Sequence, residues 1–265
     1  MKFADVADRI AQGSVVPYLG LEIFAGSKRL PSNSDEIIFA LNEGRAMSPR
    51  LMLEYPRAAM AIEQRRGRKK LEELFAAIYK NVFEPTPTHT ALSKRAPQIV
   101  VDTNRDDTLQ RMFEGEFTLV SGVARISGNL PRYKAWAKNA GGYQPIETDA
   151  INLEKPLLFK PFGVLEPQTE LIVSDADFVD WLTEAMAGAA VPNALKERRR
   201  DLRWLFLGCS FQRDTDRMAA SEIIGGESCG GGWWIVDREI ESAESKFLSR
   251  HKIEAVICDL NEFLG

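Results

Sequence analysis

Apolar residues in this chain gather in short unbroken runs instead of alternating with polar ones. The runs are VVPYL at 15–19, QIVV at 98–101, PLLF at 156–159, RWLFL at 203–207, GWWIV at 232–236 and EAVI at 254–257. Runs of this length without alternation predict strands buried on both faces, the pattern of a parallel sheet. ELIVS adds a further strand, and FTLVSGVARI reads as one strand or two.

The intervening segments follow a helical spacing. Phe3, Val6 and Ile10 share one face and Gly13 stops that helix; DEIIFALN opens another after Ser34 or Asp35. Pro49 to Phe83 is helical in pattern, with Gly67 dividing Leu51, Leu53, Ala58, Ala59 and Ile62 from Leu71, Leu74, Phe75, Ile78 and Tyr79. Thr86 or Thr88 can cap the helix that starts in PTPTHTAL. RYKAWAKNAGGYQP predicts a short helix before a Gly-Gly turn, DADFVDWLTEAMAGA a helix burying Phe178, Val179, Leu182 and Met186, and residues 242–250 another helix.

Strands with helices between them define an α/β class. The expectation is one Rossmann-like three-layer domain over residues 1–265, with a mostly parallel sheet and a helical insertion at about 35–84. A chain of 265 residues, 45% hydrophobic and 27% charged, is long enough and apolar enough for such a core.

Charge narrows the partners. A net charge of -4 argues against a broad nucleic-acid surface, so RRGRKK at 65–70 and KERRRDLR at 196–203 read as solvated faces. The opening MKFADVADRIAQG carries acidic residues and no long apolar core, which predicts neither a signal peptide nor a membrane anchor. Cys209, Cys229 and Cys258 are too scattered for a disulfide framework or a zinc site and read as core residues. A cytoplasmic protein without a membrane segment is expected, with a protein partner or a second copy as open possibilities.

Ligands of such sheets bind at the carboxyl ends of the strands, next to the point where strand order reverses. The polar exits in question begin at Gly20, Asp102, Lys160 and Gly208. VVPYLG with RLPS, PTPTHTAL before QIVVDTNRDDTLQRMF, PLLFKPFG before ELIVSDADFVDWL, and RWLFLGCSFQRD follow one another as in the bacterial sirtuin-like family. The chain resembles that family from about residue 12 to 262, in its zinc-free branch, since residues 115–155 contain no cysteine.

The resemblance implies a fold that binds NAD or ADP-ribose. It assigns nucleotide contacts to Gly20, Ser32, Thr103, Asn104, Asp106, Gly163, Gly208 and Ser210, and gives Asn104 the task of positioning ribose or attacking water. Residue types alone offer plainer roles: an Asx-type helix cap for Asn104, a strand-to-loop turn for Gly208 and Ser210, a flexible loop for ESCGGGWW. Trp233 and Trp234 suit one core and one interface or sheet-face position.

Two departures weigh against catalysis. The family's glycine-rich first loop is Gly20-Leu21-Glu22 here, with Gly26 and Ser27 as the only substitutes, and the histidine before Gly163 is replaced by Phe162. Neither His89, expected to cap or pack, nor His251, expected at the surface, stands in for that base, and Lys160 is protonated near neutral pH unless buried. The expectation is a catalytically degenerate, nucleotide-binding sensor or assembly protein; the alternatives are an NAD glycohydrolase and a pocket filled by Leu21, Phe24 and Phe162.

Overall fold

The structure is a computed structural model that describes residues 1–128 and 130–265. The elements in chain order are α1 (Ala4–Ala11), β1 (Val15–Leu19), α2 (Ser34–Leu41), α3 (Tyr55–Arg66), α4 (Arg68–Tyr79), α5 (Pro87–Ser93), β2 (Ile99–Asp102), α6 (Thr108–Met112) and β3 (Phe117–Gly122). Next come β4 (Tyr133–Asn139), β5 (Gly142–Ile146), β6 (Leu157–Lys160), β7 (Gly163–Val164), β8 (Glu170–Leu171), α7 (Asp175–Met186) and α8 (Asn193–Arg198). The chain closes with β9 (Arg203–Leu207), α9 (Asp214–Ile224), β10 (Gly232–Val236), α10 (Ser242–Arg250), β11 (Ile253–Ile257) and α11 (Leu260–Leu264).

Nine strands form one sheet in the order β11-β10-β9-β1-β2-β6-β3-β4-β5, parallel from β11 to β3, as the unbroken apolar runs predict. Strand β1 is buried at all five positions because helices cover both faces. It pairs with β9 along its whole length but with β2 only from Tyr18 onward, after Pro17, which has no N–H to donate. The chain leaves β1 for β2 on one side and later returns to β9 on the other. Order therefore reverses at β1, and a crevice opens above its carboxyl end.

Helices α2, α3 and α4 lie between β1 and β2, where the helical spacing falls, and Gly67 with φ +83° separates the last two. Helix α3 begins at Tyr55, not at Pro49: residues 49–53 form turns, and Leu53 is 67% exposed. The α2 cap is Asn33, whose side chain accepts from the Glu36 N–H at 3.0 Å. Thr86 caps α5 in a box closed by His89, whose Nδ1 accepts from the Thr86 N–H at 3.1 Å.

Residues 133–146 correct the helix expected in RYKAWAKNAGGYQP. They form the β4–β5 hairpin, because β4 pairs along its length with β3 and the sheet outweighs the helix propensity of Ala and Lys. FTLVSG forms a single strand, and of ELIVS only Glu170–Leu171 pairs, with β7. On α7 the buried face carries Phe178, Trp181, Leu182 and Ala185, whereas Val179 and Met186 are about two-thirds exposed. His251 is buried rather than superficial, its Nδ1 3.0 Å from the Gly226 carbonyl. Trp234 lies in the core and Trp233 is half-buried under the guanidinium groups of Arg9 and Arg203.

No helix among the described residues is long and apolar enough to cross a membrane. The three cysteines are free: Cys209 and Cys229 are buried and Cys258 half-buried.

Candidate functional site

The crevice above β1 is a cavity of about 350 Å³, within the range that holds small ligands. Its floor comes from strand exits: Gly20, Leu21 and Glu22 after β1, Thr103, Asn104 and Arg105 after β2, Cys209 and Ser210 after β9. Its roof comes from the helical segment, through Ser32 to Asp35, Leu53 and Tyr55. Arg213 and Asp216, at the start of α9, close one side. The space is open: Leu21 and Phe162 only line it, and Phe24 is buried beneath, its ring 5.6 Å from that of His89.

Five of the eight residues expected to touch a nucleotide line this cavity: Gly20, Ser32, Thr103, Asn104 and Ser210. Asp106, Gly163 and Gly208 do not, and each has a local task. The Asp106 carboxylate accepts from the Thr108 N–H at 3.0 Å at the start of α6. A Cβ on Gly163 would meet the Glu170 carbonyl at 2.0 Å, so the β7–β8 pairing requires glycine there. Gly208 has φ +61°, a Cβ there would meet the Ile23 nitrogen at 2.3 Å, and its carbonyl accepts from the Glu22 N–H at 2.9 Å.

Asn104 is not the helix cap. Its Nδ2 donates to the Asp102 carboxylate at 3.0 Å and to the Gly20 carbonyl at 3.1 Å, tying the β2 exit to the β1 exit. Both Nδ2 hydrogens are thereby engaged, no described residue donates to its Oδ1, and Asn104 lines the cavity. Behind it, Asp102 also accepts from the Asn104 N–H and pairs with Lys160 Nζ at 2.5 Å, with both side chains 1% exposed. Lys160 is thus a buried counter-ion that holds Asp102, and through it Asn104.

Phe162 stands at the end of β6, 5% exposed, with its ring 5.0 Å from Phe178 and 5.3 Å from Trp181. The Arg105 guanidinium lies 5.3 Å from the same ring and 5.7 Å from that of Tyr55. Arg105 donates to the Tyr55 hydroxyl at 3.0 Å, which links the roof to the floor. Tyr55 is set by its own N–H, which donates to Ser34 Oγ at 2.7 Å. Tyr55, Arg105, Arg213 and Asp216 had no predicted role. Arg105 lies inside the TNRDD stretch, but its burial depends on Tyr55 fifty residues earlier, and Arg213 and Asp216 lie at the polar start of α9, ahead of the buried face carried by Ala219, Ala220, Ile223 and Ile224.

The carboxyl groups of the wall are tuned by enclosure. Burial raises Glu22, against the lowering effect of Arg238, and burial raises Asp216, against Arg213, with Glu54 adding to the rise. Glu22 retains solvent exposure at the mouth, and partial enclosure by the concave wall is what raises its pKa. Arg213 pairs with Glu54 at 3.3 Å and Asp216 at 3.7 Å. His89 lies below the floor, its pKa lowered by burial, and does not line the cavity.

Gly26 and Ser27 do not replace a glycine-rich loop. Neither lines the cavity, and Ser27 donates to Glu84 at 2.9 Å. The ESCGGGWW glycines are close-packing positions: Cβ atoms on Gly230 and Gly232 would meet the Leu202 and Trp204 carbonyls at 2.3 and 2.0 Å. Among the described residues no three His, Cys, Asp or Glu side chains are grouped to hold a metal ion.

No curated protein matches the chain. The family model of the SIR2-like domain matches residues 98–256, from the edge of β2 to the end of β11. Strand β1, its loop and the helical roof precede the matched stretch, which is shorter than the span of about 12 to 262 that the motifs suggested. With well over half of its length matched, and with the sheet order and strand exits described above, the chain belongs to the SIR2-like family.

Proposed function

We infer that this SIR2-like protein binds an adenine dinucleotide or ADP-ribose in the cavity above β1 without cleaving the nicotinamide-ribose bond, acting as a sensor or assembly protein. The observation that carries this is Phe162. An apolar ring, buried against Phe178 and Trp181, lines the cavity where the family resemblance calls for a histidine base, and it has no atom that accepts a proton. The binding half of the reading is supported by the open cavity, by the free Asn104 oxygen and by Gly20, Ser32, Thr103 and Ser210 in its wall.

One feature favours the hydrolase reading. Asp216 lines the same cavity with its pKa raised by burial, which is the tuning a carboxylate base uses. Two measurements on the full chain separate the readings. Calorimetric titration with NAD and ADP-ribose should give heat, and a nicotinamide-release assay should stay at background. Release that disappears in Asp216→Asn would establish the hydrolase instead, and no heat from either ligand would remove both.

A further inference from the structure

Arg105 is an unusual component of the cavity wall. Its side chain is buried, 5% exposed, and yet no carboxylate among the described residues lies within hydrogen-bond reach of it. Its partners are all neutral: Nη1 donates to the Thr103 carbonyl at 3.1 Å, and Nη2 donates to the Tyr55 hydroxyl at 3.0 Å and the Ile172 carbonyl at 2.6 Å. A guanidinium has five N–H donors and stays charged at every accessible pH. Three donors are used. One Nη1 donor and the Nε donor remain, and Nε is shut away without a partner.

The rings of Tyr55, Phe162 and Phe178 lie within 6.0 Å of the guanidinium and supply only their faces to the charge. Arg213, the other arginine in the wall, lies 5.7 Å from the same Tyr55 ring, but its charge is met by Glu54 and Asp216. The Arg105 end of the cavity thus keeps a positive charge that no described carboxylate pairs directly, Asp216 acting on it only from beyond ion-pair distance, in a partly desolvated place. Such a charge is costly unless an anion joins it.

We propose that Arg105 receives an anionic group, a phosphate, of the bound nucleotide, and that the cavity selects against a nucleotide whose group at that end is cationic. This rests on the nucleotide-binding reading above and adds the charge class of the ligand. Oxidised NAD carries a pyridinium cation; its reduced form carries a neutral dihydropyridine of nearly the same shape; ADP-ribose ends in a neutral sugar; ADP-ribose 1″-phosphate ends in an anion. The phosphate-ended ligand is expected to bind best and oxidised NAD worst.

Calorimetry of the full chain with these four ligands tests the order. The phosphate-ended ligand should bind at least tenfold more tightly than ADP-ribose, and the reduced dinucleotide more tightly than the oxidised one. Arg105→Met should compress the order to within about threefold, while Arg105→Lys retains its direction. Binding of ADP-ribose with a flat or reversed order in the unaltered protein overturns the charge selection and leaves nucleotide binding standing. Failure of all four to bind removes nucleotide binding, and the charge selection with it. The unaltered protein carries the test on its own should Arg105→Met fail to fold.

Discussion

The Lys160 ammonium lies 2.5 Å from the Asp102 carboxylate, and neither side chain reaches solvent. Removing one partner of a buried pair leaves the other charged and stranded, at a cost of about 3–5 kcal/mol. Lys160→Met should therefore destabilise the chain by about that amount, and adding Asp102→Asn should recover a large part of it. Urea unfolding of the two single variants and the double variant measures this. Additive losses would show that the two groups act independently.

Asn104 should be more sensitive to charge than to deletion. Asn104→Ala loses the two Nδ2 hydrogen bonds, a cost of about 1–3 kcal/mol. Asn104→Asp keeps the shape but sets a second carboxylate oxygen against Asp102 and the Gly20 carbonyl, and should cost more than the alanine. Both should weaken ADP-ribose binding at least tenfold. An aspartate variant as stable as the native chain would show that the amide nitrogen does not hold the β1 and β2 exits together.

Gly208 should not tolerate alanine. Its φ is +61°, and the new Cβ would lie 2.3 Å from the Ile23 nitrogen, with no flexible side chain to give way. Gly208→Ala should cost several kcal/mol, on the order of the strain at a forbidden backbone position plus a steric overlap. At Gly26, φ +82° with nothing near, alanine should cost only about 1 kcal/mol. Comparing their melting temperatures checks both.

Stability should rise with pH through the histidine range. Burial lowers the pKa of His89, opposed by Asp106 and Asp102 and assisted by Lys160, so the folded state binds fewer protons than the unfolded one between the two pKa values. The stability contribution is present above the unfolded value near 6.5 and is lost as pH falls toward the folded value. His89→Gln keeps a side chain able to close the Thr86 capping box and should reduce the slope by up to about 1.4 kcal/mol per pH unit. His251, also lowered by burial, leaves a residual slope of the same sign. Glu22 and Asp216, raised in the folded state, act in the opposite sense as pH rises through their folded values.

The sheet was legible because each core strand is a compact apolar run, and the run itself carries the information. The β4–β5 hairpin was not: Tyr133 to Asn139 contains residues that suit a helix, and only the exposed edge of β3 makes a strand of them. The floor of the cavity was legible for a similar reason, since Gly20, Thr103, Asn104 and Ser210 directly follow strands. Gly163, Gly208 and Asp106 share that placement but are consumed by packing and capping, which depend on Glu170, Ile23 and Thr108. Arg105 illustrates the limit. An arginine between Asn and Asp reads as surface until Tyr55, Phe162 and Phe178 are seen to enclose it.

The walls of the cavity come from stretches far apart along the chain: residues 18–22, 32–35 and 53–55 before the family-matched segment, and 103–105, 162 and 209–216 within it. The part most recognisable by family therefore holds only part of the floor and one side. A fragment confined to residues 98–256 would lose β1, the strand at which the order reverses, and Tyr55, the roof partner of Arg105, and with them the enclosed space. Recognition of the family and possession of the site are separable properties of this chain, and half of the second is written in residues that the first does not read.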